Sequence, residues 1–122
     1  MSFTTISTIT LFVATLLGLG WIFAGPLMLR RWGVPGDESA LLVGRRIGAI
    51  YLGLAVLLFQ VRSTPRSDAQ TAVAIGFAVA LALLGIVGIL EFARGRAKKG
   101  ILISTAVELL LAAGFVSSQL AQ

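Results

Sequence analysis

Few residues in this chain are equipped for chemistry, and the most informative is Glu108, placed well inside an otherwise apolar stretch. Its helical neighbours at i−4 and i+4 are Ser104 and Ala112, so no cation on its own helix neutralises it. An unpaired carboxylate in hydrocarbon is costly, and the group must be protonated, wetted or paired across helices. Arg45 and Arg46 begin a second apolar stretch and are the natural partners. Glu91 closes a third stretch three residues before Arg94, the spacing of an ordinary pair at a helix end. Glu108, Arg45, Arg46 and Glu91 therefore form a candidate intramembrane polar cluster at one end of a helix bundle. Such a cluster has three uses: a structural ion pair, a proton- or ligand-coupled site, or a seat for lipid headgroups. Tyr51 is expected to be a packed aromatic with one hydrogen bond.

The rest of the catalytic repertoire is thin. Cysteine and histidine are both absent. That leaves no thiolate nucleophile, no disulfide, no imidazole ligand for zinc or haem, and no proton shuttle of ordinary pKa near neutrality. No nucleophile–base pair, metal motif or lipidation signal is visible, and the glycines of Gly18-Leu19-Gly20 precede no phosphate-binding unit. The sequence thus predicts no enzyme, no catalytic residue, no cofactor and no metal site.

The elements that position these charges follow from composition. Hydrophobic residues make up 57% of the chain and charged residues 12%, with a mean hydropathy of +0.98. A soluble domain carries about twice that share of charge, so these apolar side chains must face lipid. The expected spans are about 3–29, 41–61, 69–92 and 101–120, each near the ~20 residues that cross a bilayer. Barrel strands alternate over ~10 residues, and these stretches do not, so helices are predicted. Pro26 falls in the last turn of the first span, where a missing donor is tolerated. That span lacks the basic opening of a secretory signal and reads as a membrane helix. Gly33 to Asp37 reads as a turn, with Asp37 or Ser39 capping the next helix. The predicted fold is all-α: a single domain over residues 1–122, an integral-membrane up-down four-helix bundle.

Charge sets the orientation. The first connection and its flanks carry Arg30, Arg31, Arg45 and Arg46, and the third carries Arg94, Arg96, Lys98 and Lys99. The second has only Arg62 and Arg66. Basic connections stay in the cytoplasm, so both termini are expected outside, in a multi-pass protein of the cytoplasmic or inner membrane. The net charge of +5 is then spent at the membrane surface on anionic lipid headgroups, and nucleic acid is excluded as a partner.

Helices in lipid associate through close packing of small residues. Ala14 and Gly18, Gly44 and Gly48, Ala49 and Gly53, and the run Ala74, Ala78, Ala82 and Gly85 all offer smooth faces for packing within the bundle or against a partner. The size and span count resemble those of the small multidrug-resistance exporters, four-helix dimers with a membrane-embedded glutamate. In that family the acid lies in the first helix, whereas the first span here has no ionisable residue before Arg30, so its activity is not carried over. The expected function is a non-catalytic accessory, assembly or scaffold subunit, as a homo-oligomer or within a larger membrane complex. The alternative is a small dimeric transporter with Glu108 as its coupling acid.

Overall fold

A computed structural model describes residues 1–120, which form five helices: α1 (Phe3–Phe23), α2 (Gly25–Trp32), α3 (Glu38–Val61), α4 (Asp68–Ala93) and α5 (Gly100–Leu120). Four of them, α1, α3, α4 and α5, are long and apolar enough to cross a membrane. Three begin on a side-chain cap. Ser2, Asp37 and Ser67 accept from the N–H groups of Thr5, Ala40 and Gln70, satisfying donors that the first helical turn leaves free. Asp37 rather than Ser39 is the cap of α3.

The first apolar stretch is not one helix, contrary to the continuous span expected over 3–29. Ala24 leaves helical geometry at φ −134° and ψ 38°, closing α1 at Phe23 and opening α2. The cause is Pro26. A continuous helix would need an N–H there for the Ile22 carbonyl and would drive the proline ring against it. Restarting the helix at Gly25 puts Pro26 in the first turn, where no donor is required. The short α2 ends on Gly33, whose φ of 69° suits a residue without Cβ.

Packing divides the long helices into two close pairs, α1 with α3 and α4 with α5, which meet mainly through α1 and α5. Paired helices run antiparallel. The Thr4 hydroxyl, at the start of α1, donates to the Arg62 carbonyl just beyond α3 (2.7 Å). In the other pair the Thr71 hydroxyl, early in α4, bonds Gln119 Oε1 late in α5 (3.1 Å). Glycines set the closeness. A Cβ on Gly48 would lie 2.7 Å from the Gly18 carbonyl oxygen, and one on Gly44 would meet the Trp21 ring at 2.6 Å. In the second pair, Gly85 seats Leu109 and Gly88 seats Thr105, while Gly114 receives Ile6 across the α1–α5 seam. The core lies toward the Met1 end, where Phe3, Ile6, Leu58, Ala74, Ala78, Leu111 and Phe115 cluster.

At the opposite end α2 ties the pairs together. Trp32 packs edge-on against Trp21 with ring centroids 5.2 Å apart, and its Nε1–H donates to Ser104 Oγ at 3.2 Å. The Lys98 N–H donates to the Trp32 carbonyl at 2.7 Å. Trp32 thus works as a buttress between α1 and α5, half-buried rather than projecting outward.

Candidate functional site

Glu108 occupies the ninth position of the 21-residue α5, half-buried on the face that also carries Thr105 one turn earlier. The structure does not bring it to Arg45 or Arg46. Both arginines are exposed on α3, and among the described residues no ion pair joins either to an acid. The expected cluster is therefore not assembled as a unit. What stands within electrostatic reach of Glu108 is Tyr51 of α3, also half-buried.

Two registers explain this meeting. Gly18 of α1 lies level with Gly48 of α3, so Tyr51, three residues on, stands near Thr15. Phe3 lies beside Phe115, and seven residues along each antiparallel helix Thr10 comes level with Glu108. The phenol and the carboxyl thus flank the middle of α1, where Thr10 and Ala14 are buried.

Two buried hydroxyls add polarity at the same depth. Among the described residues Thr10 Oγ1 and Thr105 Oγ1 have no hydrogen-bond partner. Their neighbours behave differently: Thr8 and Thr15 donate to the carbonyls four residues back, at 2.7 and 2.8 Å. Back-bonding of that kind is the usual resolution for a threonine inside an apolar helix. Thr105 was accessible to sequence reasoning, since it lies three residues from Glu108 on the same helical face. Thr10 was not, because nothing local separates it from the other threonines of α1. Carboxyl, phenol and hydroxyl groups are chemically able to exchange protons or to hydrogen-bond a polar guest, and none of them is a strong nucleophile here.

Glu91 is used elsewhere. Its carboxylate accepts two bonds from Arg96, from Nε at 2.6 Å and from Nη2 at 2.8 Å, instead of pairing with Arg94. Gly95 causes the exchange: its φ of 73° turns the chain back after α4, bringing Arg96 over the last turn and leaving Arg94 outside. This bidentate geometry raises the Arg96 pKa further above its ordinary value. Among the described residues no group of three or more acidic, histidine or cysteine side chains could hold a metal ion.

No family model, curated protein or solved structure matches this chain. The class it falls into is set by its own residues: an all-helical protein whose four long apolar helices are those of a multi-pass membrane protein.

Proposed function

We propose that this chain is a non-catalytic accessory, assembly or scaffold subunit of a bacterial-type cytoplasmic membrane, working through helix contacts. The observation that carries the reading is an unspent small-residue face. Internal packing consumes Gly18, Gly44, Gly48, Gly85, Gly88 and Gly114, yet a Cβ at Gly53 would meet nothing within 4 Å. Ala49 and Gly53 are both exposed, one turn apart on α3, and make a smooth strip pointing away from the bundle. In lipid such a strip favours close approach of another helix, from a second copy or a larger complex. Gly53→Leu is expected to leave thermal melting in detergent unchanged while weakening the native complex about tenfold, because overpacking costs about 1–3 kcal/mol. Complex size after mild extraction, followed by cross-linking in membranes, checks it. An unaltered complex would remove the basis for this role.

The orientation belongs to the same proposal: connections after α2 and α4 in the cytoplasm, both termini outside, and the basic side chains on anionic headgroups. Because the chain lacks cysteine, single thiols report on it cleanly. Arg94→Cys is expected to react with an impermeant maleimide only after the membrane is opened, and Ser63→Cys in intact cells. The reverse pattern would invert every assigned depth.

A second reading, transport with Glu108 as coupling acid, is favoured by the absence of an ion-pair partner for that carboxylate among the described residues and by the Tyr51 phenol within its electrostatic reach. For a coupling acid, Glu108→Gln lowers proton-linked flux in liposomes by about 100-fold or more, the size of effect general acid–base groups contribute, with melting preserved. For an assembly subunit, the same variant shows no flux difference and changes only melting or complex yield.

A further inference from the structure

The turn between α4 and α5 carries an open cleft of about 550 Å³ lined by Phe92, Gly95, Ala97, Lys98, Lys99 and Gly100. Its lining mixes a benzyl group and small residues with two lysines. Lys98 is held by its backbone. Its N–H is bound to the Trp32 carbonyl, and its side-chain stem lies where Gly33 has no Cβ, so a side chain at Gly33 would collide with Lys98 Cγ. Gly100 likewise sits against the Arg31 carbonyl, drawing this turn onto the end of α2 with its exposed Arg30 and Arg31.

The positive charge here is uncompensated. The acid nearest in the chain, Glu91, is fully engaged by Arg96, and among the described residues Lys98, Lys99, Arg94, Arg30 and Arg31 have no ion-pair partner. Beyond Phe92 the apolar surface continues on α4 with the exposed side chain of Ile89, nearly one turn away. A ligand that complements this surface has an anionic phosphate at one end and a hydrocarbon chain at the other.

We infer that the α4–α5 turn is a binding site for one anionic phospholipid, its phosphate held by Lys98 and Lys99 and its acyl chain lying along Phe92 and Ile89. The site commits to a bilayer lipid because the apolar wall runs directly out of the cationic cleft; a free phosphate ion would use only half of it. The inference rests on the basic connections lying at a membrane surface, as proposed above, and on nothing assigned to Glu108 or Gly53. The lipid bridges α4 to the end of α2, so its expected effect is to steady the α2–α5 junction as well as to bind.

The test is native mass spectrometry and thermal melting of the purified, detergent-solubilised full chain, with phosphatidylglycerol, phosphatidylcholine or inorganic phosphate added. Phosphatidylglycerol is expected to bind as a single retained adduct and raise the melting midpoint, with phosphatidylcholine and inorganic phosphate doing neither. Each lysine near an anionic surface contributes about 1 kcal/mol, so K98Q/K99Q is expected to weaken the adduct about 30-fold. K98R/K99R should restore it, and R45Q/R46Q should leave it in place. Equal binding of both lipids, equal binding to K98Q/K99Q, or the same stabilisation by inorganic phosphate would each overturn the site. Maleimide labelling of Arg94→Cys, outside the cleft lining, separates this outcome from failure of the membrane orientation, since it reads sidedness in the absence of any added lipid.

Discussion

Replacement of Gly48 by leucine is expected to separate α1 from α3 and lower the melting midpoint by on the order of 10 °C. A Cβ at this position would stand 2.7 Å from the Gly18 carbonyl oxygen, 2.8 Å from Ile22 Cγ1 and 3.1 Å from Trp21 Cβ. The first contact is with backbone, which moves only if the whole helix moves. Overpacking of this kind costs about 1–3 kcal/mol even where side chains do the yielding, and each kcal/mol is about 4–8 °C in a domain near this size. In lipid or detergent no hydrophobic force presses apolar helices together, so a close contact once lost is not recovered elsewhere. The neighbouring change Gly53→Leu, one and a half turns along α3, is the control, because it opens into free space. Melting of both variants, followed by tryptophan emission from Trp21 against Gly44, decides the matter. Equal midpoints for Gly48→Leu and the parent chain would mean that α1 and α3 do not approach as described.

Phe115→Ala is expected to be the most damaging truncation in the core, at about 3–5 kcal/mol. The side chain is fully buried, stacked on Phe77 of α4 with centroids 5.3 Å apart and edge-on to Phe3 of α1 at 6.2 Å. It is therefore a central contact between the α4–α5 pair and the α1–α3 pair, beside the seating of Ile6 on Gly114. Dispersion contacts supply much of the holding force between helices in lipid, and a cavity forfeits them outright. The two-pair architecture predicts a particular pattern of damage. The pairs should come apart from one another while α1–α3 and α4–α5 each persist, since their glycine contacts lie elsewhere. Cross-links between thiols at Thr4 and Arg62 should survive this substitution, and those between Phe3 and Ser117 should fall. Loss of both together would show a single cooperative core instead.

Local signals accounted for much of this architecture, for reasons visible in particular residues. Asp37 and Ser39 together marked the start of α3, and Gly44 with Gly48 marked a face for close helix contact, because capping and small-residue spacing act within one or two turns. Pro26 was visible too, but its effect was placed too late. A proline in a last turn and one that ends the preceding helix look alike until Ala24 is seen outside helical geometry. The Glu91 partner was missed by two residues, since Arg96 reaches it only through the reversal at Gly95. The glycine was in plain view; its left-handed conformation was not.

The chain's own chemistry determined that four helices of this length and apolarity form, about where α3 begins, and which residues carry charge. Those outcomes depend on hydrogen bonds and solvent preference that each segment expresses alone. Tertiary structure decided which small faces are spent and which remain, and that Glu108 stands near Tyr51 while Arg45 and Arg46 point elsewhere. These depend on the relative height and rotation of helices distant in sequence. That relation is set by the fit of Gly18 to Gly48 and of Phe3 to Phe115, and no single segment contains both halves of either contact.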